Sequence, residues 1–234
     1  MRNPFANLTK FEWILWVCSV ILVVLSFGMG KSFHMLTLAA SLVGVTALIF
    51  VAKGDVWGQA LTLVFSLLYA LISLEFRYYG EMITYLGMTA PIAALSIVSW
   101  LRHPYQKGKS EVKVARLTKG KIVRLAVLTV AITTLFYFVL KAMDTANLFF
   151  STVSIATSFL ASYLMFCRSS AYALAYAAND VVLIILWVLA AMENPAYLPM
   201  VVCFAVFFCN DIYGFLNWRK MRRRQDGKEE EIYV

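Results

Sequence analysis

The sequence predicts an all-α integral membrane protein with eight transmembrane helices arranged 1+3+1+3. Three observations carry that prediction. Of 234 residues, 62% are apolar and only 15% are charged, whereas soluble domains carry about 45–50% apolar and about 25% charged residues. The apolar residues gather into eight stretches long enough to span, since a transmembrane helix needs roughly 17–25 of them. The cations, finally, fall almost wholly between alternate stretches. Too few polar groups remain to cover a water-facing sphere, and the apolar content excludes a disordered chain.

Taken in order, residues 11–29 form the first span, entered from Arg2 and Lys10. It is too long and continuous for a cleaved secretory signal. Residues 35–51, 57–76 and 82–101 form a triplet whose short connections, such as Lys53-Gly54-Asp55, force antiparallel neighbours. Residues 102–120 read as a polar, flexible linker, and 122–140 as a single connector crossing. A second triplet follows at 148–166, 171–191 and 195–216. The expected units are therefore a peripheral helix (1–30), a first bundle (31–101), linker and connector (102–147), a second bundle (148–218) and a basic tail (219–234).

Eighteen of the 21 lysines and arginines lie on the side of the N-terminus, and only Lys31, Arg77 and Lys141 on the other. By the positive-inside rule both termini are expected in the cytoplasm. The net charge of +8 thus sits in juxtamembrane runs suited to anionic lipid rather than nucleic acid. The triplets start at 35, 57, 82 and at 148, 171, 195, offsets of 113, 114 and 113 residues. With one connector between them, the two triplets run in the same direction. Such parallel repeats are a carrier design with its site near the midplane.

Polar residues inside spans face a bundle interior or a cavity. Gln59, Thr62, Ser66, Tyr69 and Ser73 recur at 3, 4, 3 and 4 residues, one helical stripe. Tyr172, Tyr176, Asn179 and Trp187 share a face, with Asp180 at its edge and Trp187 close enough to the span's end to serve as an interfacial belt residue. Asn210, Tyr213 and Asn217 form a third stripe. Ser151, Ser154, Ser158 and Ser162 read as a packing seam. Amides and aromatics with little charge suit a small, flat, polar solute, with Gln59, Thr62, Tyr69, Asn179, Trp187, Asn210, Tyr213 and Asn217 as candidate binding residues. Asp180 is a candidate proton carrier; Asp211 lies nearer the cytoplasmic end and reads as structural. Glu75, Arg77, Tyr78, Tyr79 and Glu81 read as solvated interface residues.

Enzymatic alternatives fail. Gly30-Lys31-Ser32 resembles the end of a phosphate loop, but position 25 is Leu where that motif requires Gly. His34 and His103 fall on opposite sides, and there is no GxSxG element. Cys18, Cys167, Cys203 and Cys209 follow no metal-site spacing and read as buried small hydrophobes. No metal or cofactor is expected.

The stretches Tyr176-Ala177-Ala178-Asn179-Asp180 with Trp187, and Asn210-Asp211-Ile212-Tyr213-Gly214 leading to Asn217-Trp218-Arg219, resemble the PnuC family of bacterial vitamin transporters across about residues 35–224. The first half departs from the pattern. Gln59 and Thr62 stand near an absent early Asn, and residues 91–100 hold no Asn-x-Tyr-Gly element. The resemblance implies a two-lobed, SWEET-like bundle, a homotrimer in the bacterial inner membrane. It implies carriage of nicotinamide riboside by facilitated diffusion, trapped by a cytoplasmic riboside kinase. A carrier of thiamine, riboflavin or a deoxynucleoside, and a non-transport scaffold, are the alternatives.

Overall fold

An apolar span can satisfy its backbone N–H and C=O groups only internally, which makes helices of these stretches. In a computed structural model describing residues 4–29, 35–75, 79–106, 110–145 and 147–232, they are α1 (Lys10–Met29), α2 (Met35–Ala52), α3 (Val56–Glu75), α4 (Tyr79–Thr84), α5 (Ala90–Arg102), α6 (Lys119–Ala142), α7 (Leu148–Phe166), α8 (Tyr172–Glu193) and α9 (Leu198–Ile232). A π-helical turn, Tyr85–Thr89, joins α4 to α5 as one crossing. The described residues thus contain the eight expected spans. Lys31, His34, Arg77 and Tyr78 lie outside the described residues, as do the side chains of Glu75 and Tyr79.

Local chemistry starts the first helix. Thr9 and Glu12 form a reciprocal capping box: the Thr9 amide donates to Glu12 Oε2 at 2.6 Å and the Glu12 amide to Thr9 Oγ1 at 3.3 Å. The same carboxylate accepts from Lys53 Nζ at 2.9 Å and from the Tyr213 hydroxyl at 2.8 Å. Those bonds pin α1 to the α2–α3 turn and to α9. Gly54, at φ +68°, makes that turn in the left-handed region. At Gly58 a β-carbon would overlap the Val51 backbone, so glycine lets α3 lie close against α2.

In each triplet the middle helix packs on both its neighbours, α3 on α2 and α5, α8 on α7 and α9. Between triplets, the first helix of each meets the third of the other: α2 with α9, α5 with α7. At the end that carries the termini, two tryptophans tie these contacts. Trp100 Nε1 of α5 donates to the Met165 carbonyl of α7 at 3.3 Å, and Trp218 Nε1 of α9 to the Val51 carbonyl of α2 at 2.9 Å. The two indoles meet at 5.5 Å, with Tyr172 edge-on to Trp218 at 4.8 Å. The connector α6 packs on α7 and leaves a long apolar flank, from Val123 to Phe138, for the bilayer.

The segment expected to be a flexible linker is instead a packed strap. Its Val112 is fully buried, and the Val112 amide donates to the Gly54 carbonyl at 3.0 Å. The Ala115 amide reaches the Arg168 carbonyl at 2.9 Å, and the Val114 amide reaches Gln225 Oε1 at 2.8 Å. Glu111 accepts from Arg224 and Gln225. One short segment therefore joins the turns of both triplets to α9, which runs on to Ile232 rather than ending at residue 216. The cysteines divide: Cys167 and Cys203 are buried, while Cys18 and Cys209 are exposed on span surfaces, where lipid rather than water is their neighbour. Burial pushes the Cys167 thiol up, which keeps it protonated at neutral pH.

Candidate functional site

Between the triplets lies a chamber of about 60 Å³ bounded by α2, α3, the π-helical turn, α7, α8 and α9. Its polar lining is Thr62, Tyr85, Thr89, Ser158, Tyr176, Asn179, Asp180 and Asp211, closed by Phe65, Phe204, Phe207 and Leu183. A second cavity of about 110 Å³ opens at the end opposite the termini. That mouth is lined by Glu81, Thr84, Asn147, Ser151, Ser154, Trp187 and Glu193, among others. Mouth and chamber share Tyr85, Ser158 and Leu183, so these three side chains divide one route. Toward the termini the route closes. Gln59, Thr62, Ser96, Ser162, Met165 and Tyr176 meet there with no room for a water molecule between them.

Each side chain is placed by its helix. Asn179 Oδ1 accepts from Thr157 Oγ1 at 2.8 Å and Ser158 Oγ at 2.9 Å, which fixes the amide plane. Ser162 and Tyr176 share a hydrogen bond at 2.9 Å. Tyr85 is turned inward by the π-helical turn, an insertion that often marks functional sites. It packs on Tyr69 at 4.4 Å with the rings tilted by 49°, and Phe65 lies edge-on to it at 5.9 Å. Tyr69 lies behind this wall rather than on it, its hydroxyl beside the Glu81 carboxyl.

The structure brings together Thr62, Asn179 and Asp180 on the chamber, Trp187 on the mouth and Gln59 in the closed stretch beneath. Gln59 Nε2 is spent on Met165 Sδ. Trp187 is buried against Tyr197 at 5.6 Å and is not an interfacial belt residue. Asn210, Tyr213 and Asn217 go elsewhere, because their stripe faces α1 and the end of α2. Asn210 Nδ2 donates to Ser19 Oγ at 3.0 Å, Tyr213 to Glu12, and Asn217 Nδ2 to the Ala52 carbonyl at 2.8 Å. The adjoining face of α9, with Phe204 and Phe207, presents Asp211 to the chamber. Ser151, Ser154 and Ser158, expected as a packing seam, line the route. Glu81, expected in solvent, has a buried carboxylate oxygen. Tyr85 and Thr89 were not singled out by the sequence; the available signal was the pair of them, four residues apart, flanking Gly87 just before Pro91.

A polar, enclosed chamber between two helical triplets, reached from one end and sealed at the other, defines a multi-pass membrane carrier. Residues 34–220 match the family described as nicotinamide mononucleotide transporter. The chain belongs to that family; it is a transporter, not an enzyme. It is 27% identical to the nicotinamide riboside transporter PnuC of Neisseria mucosa, over 97% of this chain and 88% of that one. To the protein of the same name from Haemophilus influenzae it is 23% identical over 96% of each. Its fold superposes on the crystal structure of the vitamin B3 transporter PnuC with a TM-score of 0.81, at 25% identity and covering 94% of both chains.

Proposed function

We propose that the protein carries nicotinamide riboside into a bacterial cell across the cytoplasmic membrane, both termini lying in the cytoplasm. The observation that carries the choice of cargo is the charge of the route. Its lining supplies Glu81, Glu193, Asp180 and Asp211, and no lysine, arginine or histidine among the described residues. The family description names the mononucleotide, which differs from the riboside by one phosphate. A buried phosphate requires cations or several N–H donors, and carboxylates repel it. The riboside instead offers hydroxyls, a carboxamide and a flat ring. Asn179 Nδ2, which takes no protein partner, suits an acceptor of that ligand, and Thr62, Thr89 and Ser154 suit its hydroxyls. Tyr85, Phe207 and Trp187 offer ring faces.

Neither cavity alone matches the roughly 300–1,000 Å³ of ordinary small-molecule sites, so the solute enters by parting Tyr85 from Leu183 and Ser158. The sealed far end supports alternating access, with the triplets rocking about the chamber. Facilitated diffusion of a phosphate-free cargo then becomes net uptake when a riboside kinase in the cytoplasm adds a phosphate the route refuses.

The test is calorimetric titration of the purified chain with the riboside and the mononucleotide, beside thiamine, riboflavin and a deoxynucleoside. Saturable binding of the riboside, with the mononucleotide at least tenfold weaker, is the expected result. Preferential binding of the mononucleotide or of another vitamin overturns the assignment of cargo.

A further inference from the structure

Two carboxyl groups meet on the chamber wall. Asp180 of α8 and Asp211 of α9 both line it, each is only 3% exposed, and their side chains lie within hydrogen-bonding reach of one another. Asp180 Oδ2 is buried with no partner in the protein. The other two acids buried to this degree among the described residues, Glu12 and Asp55, are both held by the protein. Glu12 caps α1 and holds Lys53 and Tyr213, and Asp55 accepts from the Trp57 amide at 3.0 Å at the start of α3. Among the described residues neither Asp180 nor Asp211 joins a salt bridge.

The groups facing the pair are aromatic or weakly polar. Tyr172 and Tyr176 approach from α8, Tyr85 from the π-helical turn and Cys203 from α9. Phe204 and Phe207 complete the wall. Two adjacent acids in a low-dielectric interior are costly, and a positive charge placed against them relieves that cost. Aromatic faces within about 6 Å favour a cation as well.

We infer that Asp180 and Asp211 together supply the counter-charge for a cationic ring, making this carrier selective for N-ribosylated pyridinium cations over neutral nucleosides of the same size. The inference rests on the cargo proposed above and names what recognises it. Glu81 and Glu193 at the mouth carry the same sign, so the route draws positive charge inward before the pair receives it. Asn179 reads the polar edge of the ligand, and the acid pair reads its charge.

The discriminating ligands are nicotinamide riboside, a cation, and its dihydro form, which keeps ribose, carboxamide and size but is neutral. Titration of the full chain is expected to give at least tenfold tighter binding of the cation. In Asp211→Asn, and likewise in Asp180→Asn, that ratio is expected to fall to within twofold, through loss of cation binding with binding of the neutral form kept. The neutral ligand thus reports the fold of each variant, and the comparison on the parent chain requires no variant. Equal binding of both forms by the parent overturns the inference while riboside carriage stands. A ratio that survives in both variants also overturns it. If the parent binds neither form, the assignment of cargo falls together with it.

Discussion

Asn179 and Asn210 are both mid-helix amides, yet their bonds give them different work. Asn179 is held through its carbonyl and keeps its N–H group for the chamber. Replacing it with Leu is expected to weaken riboside binding by about 1–3 kcal/mol, the cost of an unmade buried hydrogen bond. Asn210 Nδ2 is spent on Ser19 and the Val206 carbonyl, its buried Oδ1 takes no partner, and the residue does not line the route. Asn210→Leu is therefore expected to leave the dissociation constant within twofold. One titration series on the two variants checks both statements; equal losses would mean that Asn210 meets the solute as Asn179 does. The sequence made the two amides look alike because helical spacing marks a stripe but not the partner it faces. On α9, buried both by α1 and by the chamber, polar residues occupy two sides. Asn210 and Asp211 are adjacent, about 100° apart around the helix, and periodicity alone does not say which of them meets the chamber.

Among elements, the spans were legible and their interruptions were not. Hydropathy and length are enough to find eight crossings, since the bilayer imposes both. The π-helical turn is invisible to such a window: Tyr85–Thr89 remain apolar enough to pass as one continuous helix, yet the turn decides that Tyr85 and Glu81 look inward. The strap was misread for a different reason. Its charged residues suggested solvent, but its order comes from pairing with the Gly54 and Arg168 turns, more than fifty residues away in either direction. Val112 is its anchor. Val112→Ala is expected to destabilise the folded protein by about 1–3 kcal/mol, through the cavity it leaves. Arg116→Ala, which breaks an exposed pair with Asp226, is expected to change little. Thermal denaturation of the purified variants separates the two cases, and an unchanged midpoint for Val112→Ala would show that the strap does not hold this end.

For the whole molecule, transport requires the sealed end to open, and the two tryptophans stand where the triplets must part. Trp100 and Trp218 each lie on their triplet's third helix, and each is bonded to a carbonyl in the last turn of the other triplet's first helix. Their bonds cross between triplets, so they stabilise the state closed at the termini and are lost when that end opens. A buried hydrogen bond contributes about 1 kcal/mol net, about fivefold in the balance between the two states. Ser96, buried beneath the tryptophans in the closed stretch, reports on that balance. With the four native cysteines replaced, a Ser96→Cys chain in inverted vesicles presents its terminal face to an impermeant maleimide. Trp100→Phe and Trp218→Phe each keep an aromatic ring and remove the donor, and each is expected to speed labelling about fivefold. A cysteine replacing Thr145 at the mouth is expected not to label faster from that face. If neither Phe variant speeds labelling at Ser96, the tryptophans hold both states equally, and the opening of this end must begin at the strap.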